Sequence, residues 1–153
     1  MRPNMFQLTA LILLLSVSFS VGSLQSLLES KGLPGGIFPA DVTSYNLDED
    51  GQLRIVLNGP CLAEFETRVH FDSVITANLS FGGLVGVQGL TQEELFLWLP
   101  VKGIAVSDPG LISFDFGLAR RQLSLSLFED PPVCESGSAS PLSKPFSRTD
   151  ASF

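Results

Sequence analysis

Between Val42 and Leu127 apolar side chains return at every second position, in runs cut short by Gly, Pro, Asp and Asn. That period puts alternate residues on opposite faces of an extended chain, whereas a helical stripe needs a return every three or four residues. Val42–Leu47 and Gln52–Leu57 flank Asp48-Glu49-Asp50-Gly51, a hairpin loop whose glycine can take positive φ. Phe65, Thr67, Val69 and Phe71 alternate with Glu64, Glu66, Arg68, His70 and Asp72, which predicts one strand with a polar, solvent-facing side. Ile75 to Phe81 forms the next strand, Gly82-Gly83 breaks it, and Leu84–Val87 is short and interrupted by glycine. Leu95–Val101 is apolar on both faces, so it is either a central buried strand or one of its faces meets a ligand. Ile104–Val106, a turn at Asp108-Pro109-Gly110, Ile112–Leu118 and Leu123–Leu127 complete the series. The result is an all-β barrel or sandwich of about eight to ten short, mostly antiparallel strands, with no helical crossover to build a parallel sheet.

The two ends have a different character. Arg2, the apolar run Leu8–Phe19 and the small residues Ser20-Val21-Gly22-Ser23 have the layout of a secretory signal peptide over Met1–Ser23. The rival reading is a retained anchor, but Ser16, Ser18 and Ser20 break the run before the roughly 20 apolar residues that a membrane span requires. Ser23 can cap a short helix reaching Lys31, with Leu24, Leu27 and Leu28 on one stripe and Gly32 just past its end. Residues 24–134 form the folded domain. Residues 135–153 are rich in Ser and Pro without apolar periodicity, which predicts a flexible tail. The mature chain is expected to carry no transmembrane segment and to follow the secretory route.

The whole chain has a net charge of −7, and among its scattered cations only Arg120 and Arg121 are adjacent. Phosphate binding needs clustered cations, so nucleic acid is excluded as a partner. Cys61 and Cys134 are the two cysteines. In an oxidising compartment such a pair is expected to form a disulfide, the alternative being two separate thiols. With the single histidine they cannot supply a four-ligand zinc shell, and no metal or other cofactor is expected. His70 lies on a polar strand face with no serine elbow to serve, so it is read as a surface residue. Glu93 and Glu94 are adjacent and would point to opposite faces of a strand, so they cannot act as a glycosidase pair. Asn78-Leu79-Ser80 is a glycosylation sequon, placing Asn78 on the polar face of its strand. The chain has 12 phenylalanines but one tyrosine and one tryptophan. The rings therefore either fill a core or line an apolar cavity, for which Phe96, Trp98, Phe114 and Phe116 are the candidate lining.

Ser30-Lys31-Gly32-Leu33-Pro34, Tyr45, Cys61, Phe65-Glu66, the block Glu94-Leu95-Phe96-Leu97-Trp98-Leu99-Pro100-Val101, and Ser126–Glu129 with Pro131–Cys134 together resemble the plant family catalogued as domain of unknown function 538. The resemblance runs from about Leu27 to Cys134 and is most specific in the block ending Trp98-Leu99-Pro100-Val101. It implies a land-plant origin, a secretory signal, a compact all-β domain and no agreed active site. A distant likeness of the family to lipid-binding bactericidal/permeability-increasing proteins is an analogy of fold alone. The stretch Gly82–Gly89 is richer in glycine than the family pattern.

These observations point to a non-enzymatic binding module for an apolar ligand such as a lipid, located in the apoplast or an endomembrane lumen. The alternative is a structural or protein-interaction domain without a small ligand. A hydrolase is the weakest reading, because no activated nucleophile is in evidence.

Overall fold

The computed structural model describes residues 23–135; Met1–Gly22 of the expected signal and Ser136–Phe153 of the expected tail lie outside them. Helix α1 (Leu24–Ser30) starts where Ser23 Oγ accepts the Ser26 amide at 3.1 Å. It ends in a left-handed Gly32 (φ +74°), with the Gly32 amide on Glu29 O and the Leu33 amide on Leu28 O. This pair of bonds satisfies the last carbonyls of the helix, and glycine is needed because a side chain at that φ would strain the turn. Leu24 and Leu28, one helical turn apart, are the buried residues of the helix.

Among the described residues nine strands follow in one antiparallel sheet: β1 (Val42–Leu47), β2 (Gln52–Leu57), β3 (Cys61–Glu64), β4 (Arg68–Ser80), β5 (Gly83–Glu94), β6 (Leu97–Pro100), β7 (Gly103–Asp108), β8 (Leu111–Asp115) and β9 (Arg120–Ser124). The order is β1-β2-β4-β5-β7-β8-β9, with β3 on β4 and β6 on β5. The fold is all-β, as expected; the path does not close on itself, so it is an open, curled sheet that barrel or sandwich describes only loosely. The long hairpin β4–β5 is its spine. β3 pairs with Arg68–Phe71 and β2 with Val74–Asn78 along one edge. On the opposite edge β7 takes Gly83–Val85 and β6 takes Thr91–Glu94.

The spine is longer than its glycines suggest. The register shifts between Phe71 and Thr76 and again before Asn78, opposite the glycine-rich part of β5. Gly89 sits at φ +89°, and a Cβ there would lie 2.5 Å from Val74 O. Glycine therefore marks a bulge where two backbones pass closely, and the strand continues through it. The expected short strand Leu84–Val87 is the first part of this longer one.

One core lies inside the curl. Leu53 and Ile55 of β2, Phe71 and Ile75 of β4, Leu84 of β5 and Ile112 of β8 pack there with Leu28, Ile37 and Phe38 from the N-terminal segment. Phe128 closes it from the C-terminal side, 4.4 Å from Phe65 and 5.4 Å from Phe114 between ring centroids. The rings of Phe38, Phe71, Phe114, Phe116 and Phe128 fill this core.

Two expected strands are redrawn. Phe65–Phe71 is not one strand: residues 65–67 make a tight turn, with the Phe65 amide on Thr67 O, and β4 starts at Arg68. The alternation runs unbroken across that turn because Ala63 of β3 and Val69 of β4, paired across the hairpin, share the inner face. Leu125–Phe128 leaves the sheet as a 3-10 turn rather than continuing β9. Cys61 and Cys134 are bridged, with Cα atoms 5.2 Å apart.

Candidate functional site

β5 and β6 are paired up to Glu94↔Leu97, so Leu95 and Phe96 alone form the loop between them. Both have positive φ, +48° and +68°. A two-residue loop with both residues left-handed has the twist that suits a hairpin, and it is ordinarily filled by Asn-Gly. A bulky residue in this region costs roughly 1–2 kcal/mol. Here a leucine and a phenylalanine take it, and they are not rewarded by burial: Leu95 is 89%, Phe96 94% and Leu97 63% exposed.

The stem below this tip is clamped on both faces. On the outer face Arg68 forks onto Glu93, with Nε–Oε2 at 2.6 Å and Nη2–Oε1 at 3.0 Å, and its guanidinium lies 5.6 Å from the centroid of Trp98. Each partner holds the other's charge: hydrogen bonding from Arg68 keeps the Glu93 carboxyl below its ordinary range, and Glu93 raises Arg68. On the inner face Glu94 accepts from Arg121 Nη1 of β9 at 2.7 Å and from Gln92 Nε2 at 2.8 Å. Arg121 also reaches Glu66 in the β3–β4 turn at 3.5 Å. Three carboxylates thus face two guanidiniums around an apolar tip, leaving the collar slightly acidic.

This geometry corrects the reading of Leu95–Val101 as one strand. Neither Leu95 nor Phe96 is a turn former, so turn chemistry could not reveal the reversal. The usable signal was the excess of apolar surface, since one face of such a run must find something to cover it. The candidate cavity lining also comes apart. Phe96 projects from the tip, and Trp98 is half-buried against Arg68, whereas Phe114 and Phe116 are buried in the core. None of the four lines the clefts of about 450, 400 and 430 Å³ elsewhere on the surface. Asn78 is exposed on β4, its Nδ2 donating to Asp50 O at 3.3 Å.

His70 is not a surface residue. It is 2% exposed, in a stretch of β4 where Val69, His70 and Phe71 are all buried, so both faces of the strand are covered there. Its Nδ1 lies 3.6 Å from Asp72 Oδ1, while its Nε2 and Oγ1 of the cross-strand neighbour Thr91 lack hydrogen-bond partners. Burial, only partly opposed by Asp72, lowers its pKa. The unfolded chain therefore takes up a proton from about pH 6.5 downward while the folded chain resists, so stability present above that pH is lost as pH falls. The melting temperature should drop between pH 7 and 5, and His70→Leu should flatten that window. The loss at lower pH, where Glu93 leaves its ion pair, should persist in the variant. An unchanged slope in His70→Leu would rule out His70 as its origin.

Among the described residues no three His, Cys, Asp or Glu side chains gather to hold a metal, and no helix is long and apolar enough to cross a membrane. The fold and its surface define a curled antiparallel domain with an apolar hairpin tip on an ionic collar. The chain belongs to the family described as Protein of unknown function, DUF538, which matches residues 24–129. It is also similar to Uncharacterized protein At5g01610 of Arabidopsis thaliana, 29% identical over 100 residues. That match covers 63% of this chain and 58% of the relative, so the chain spans little more than half the relative's length.

Proposed function

We propose that the domain is a non-enzymatic lipid-binding module that inserts the β5–β6 tip into the surface of a lipid layer. The observation that carries this is the tip itself: Leu95 and Phe96 hold a strained conformation with both side chains in water. Strain that persists without a folding benefit points to a role outside folding. Burying a leucine or phenylalanine yields about 2 kcal/mol, so three such side chains support reversible association after the cost of docking is subtracted. Trp98, with Arg68 and Glu93, would sit one step behind the tip, at the headgroup level that tryptophan favours. The acidic collar and the net charge of −7 favour zwitterionic over anionic lipid. The disulfide suits an oxidising compartment, and we place this function in the apoplast or an endomembrane lumen.

Trp98 is the only tryptophan, so the protein carries its own reporter next to the tip. Phosphatidylcholine vesicles should shift its emission to the blue and carry the protein upward in a flotation gradient. Vesicles with added phosphatidylserine should bind less well. No shift and no flotation with either vesicle would leave an interaction domain that docks on protein.

A further inference from the structure

A second feature lies away from the tip, on the outer face of β5, β7 and β8. Cross-strand pairing sets Gly83 beside Ala105 and Ala105 beside Ser113, and sets Val85 beside Gly103 and Gly103 beside Asp115. Four of these six have little or no side chain, so the sheet here has a low floor. Phe81, 81% exposed, and Val85, 63% exposed, stand beside it as apolar walls. The groove measures about 400 Å³, within the range of small-molecule sites. Its other end holds Lys102 and Arg120 around Asp115. Arg120 approaches Asp115 only to 3.7 Å, and Lys102 has no ion-pair partner among the described residues. Two cations against one carboxylate make this end locally positive on a chain of net charge −7.

We infer that this groove binds an amphipathic carboxylate, its apolar body lying over Gly83 and Ala105 between Phe81 and Val85, and its carboxylate meeting Lys102 and Arg120. The apolar walls select the body of the ligand, and the charge at one end fixes its direction. This site is independent of the hairpin tip.

The test uses 11-(dansylamino)undecanoic acid as the probe and dodecylamine as a competitor of opposite charge, with the disulfide-bonded chain. The wild type should enhance dansyl emission saturably, dodecanoic acid should displace the probe, and dodecylamine should not. Lys102→Glu should weaken binding about tenfold, a change of roughly 1.4 kcal/mol. Gly103→Leu should fill the groove and weaken binding at least as much. That substitution is compatible with the fold, since Gly103 has no positive φ and a Cβ there would meet Leu84 O at 3.4 Å and Asp115 Cβ at 3.7 Å. Ala105→Phe provides a second filling variant, and thermal melts establish that each is folded. Leu95→Asn/Phe96→Gly should bind the probe like the wild type, which separates this site from the tip. Absence of saturable binding, equal displacement by dodecylamine, or unaltered affinity in folded Lys102→Glu and Gly103→Leu would each overturn the inference.

Discussion

Replacing Cys61 and Cys134 together by alanine should lower the free energy of unfolding by about 4 kcal/mol. The bridge joins residues 73 apart in sequence. In the loop-entropy account, closing a 15-residue loop contributes about 3 kcal/mol and a 100-residue loop about 4.7, which brackets this case. Alanine is the better replacement because Cys61 is 1% exposed, and a serine there would add the separate cost of a buried hydroxyl. The loss should also be local in character. β3 has four residues and pairs with β4 alone. The chain after Phe128 is otherwise held by backbone bonds such as Ala40 N to Pro132 O and Glu135 N to Leu62 O. Hydrogen exchange should therefore speed up first at Leu62, Ala63 and Val133–Glu135. The Gly36 amide should stay protected, because it donates to the carbonyl of the fully buried Phe128 at 2.8 Å. Since small domains are stable by only about 5–15 kcal/mol, the variant should unfold at clearly lower denaturant. A loss below about 1 kcal/mol would mean that the bridge adds little to a domain its core already secures.

Much of this fold is legible in the sequence, because a sheet with one buried side writes its period into the chain. β1 and β2 fall where Val42–Leu47 and Gln52–Leu57 alternate around Asp48–Gly51, and α1 starts and stops at the residues suited to cap it. The local pattern misleads where the chain reverses without a turn former. Phe65-Glu66-Thr67 and Leu95-Phe96 both turn, yet neither contains glycine, proline or asparagine, and the alternation through them predicts strand. It also misleads where glycine serves a bulge, as at Gly89, instead of ending a strand. The charged neighbours of His70 predict solvent exposure, but burial on both faces of β4 depends on how the sheet curls, which no local pattern records. The candidate site follows the same rule. The apolar excess of Leu95–Leu99 was visible, and the need for something to cover it followed. That the excess belongs to a hairpin tip required the register of β5 against β6.

The tip offers a test in which stability and function should move in opposite directions. If Leu95 and Phe96 had no role outside folding, changing them to the residues such a loop prefers would improve the domain and alter nothing else. The proposed role in lipid binding predicts a cost. Leu95→Asn/Phe96→Gly relieves two left-handed bulky residues and should raise the free energy of unfolding by about 1–2 kcal/mol, part of the relief being offset by the added freedom of glycine in the unfolded chain. The same change removes two side chains worth about 2 kcal/mol each on burial, so binding to phosphatidylcholine vesicles should fall by about a hundredfold or more, even with incomplete insertion. The deciding measurement is the partition coefficient of wild type and double variant on these vesicles, read from the Trp98 emission shift beside a denaturant melt of each. A more stable variant that no longer partitions is the predicted result; a variant that partitions as the wild type does would contradict the assignment of the tip as the lipid-binding element.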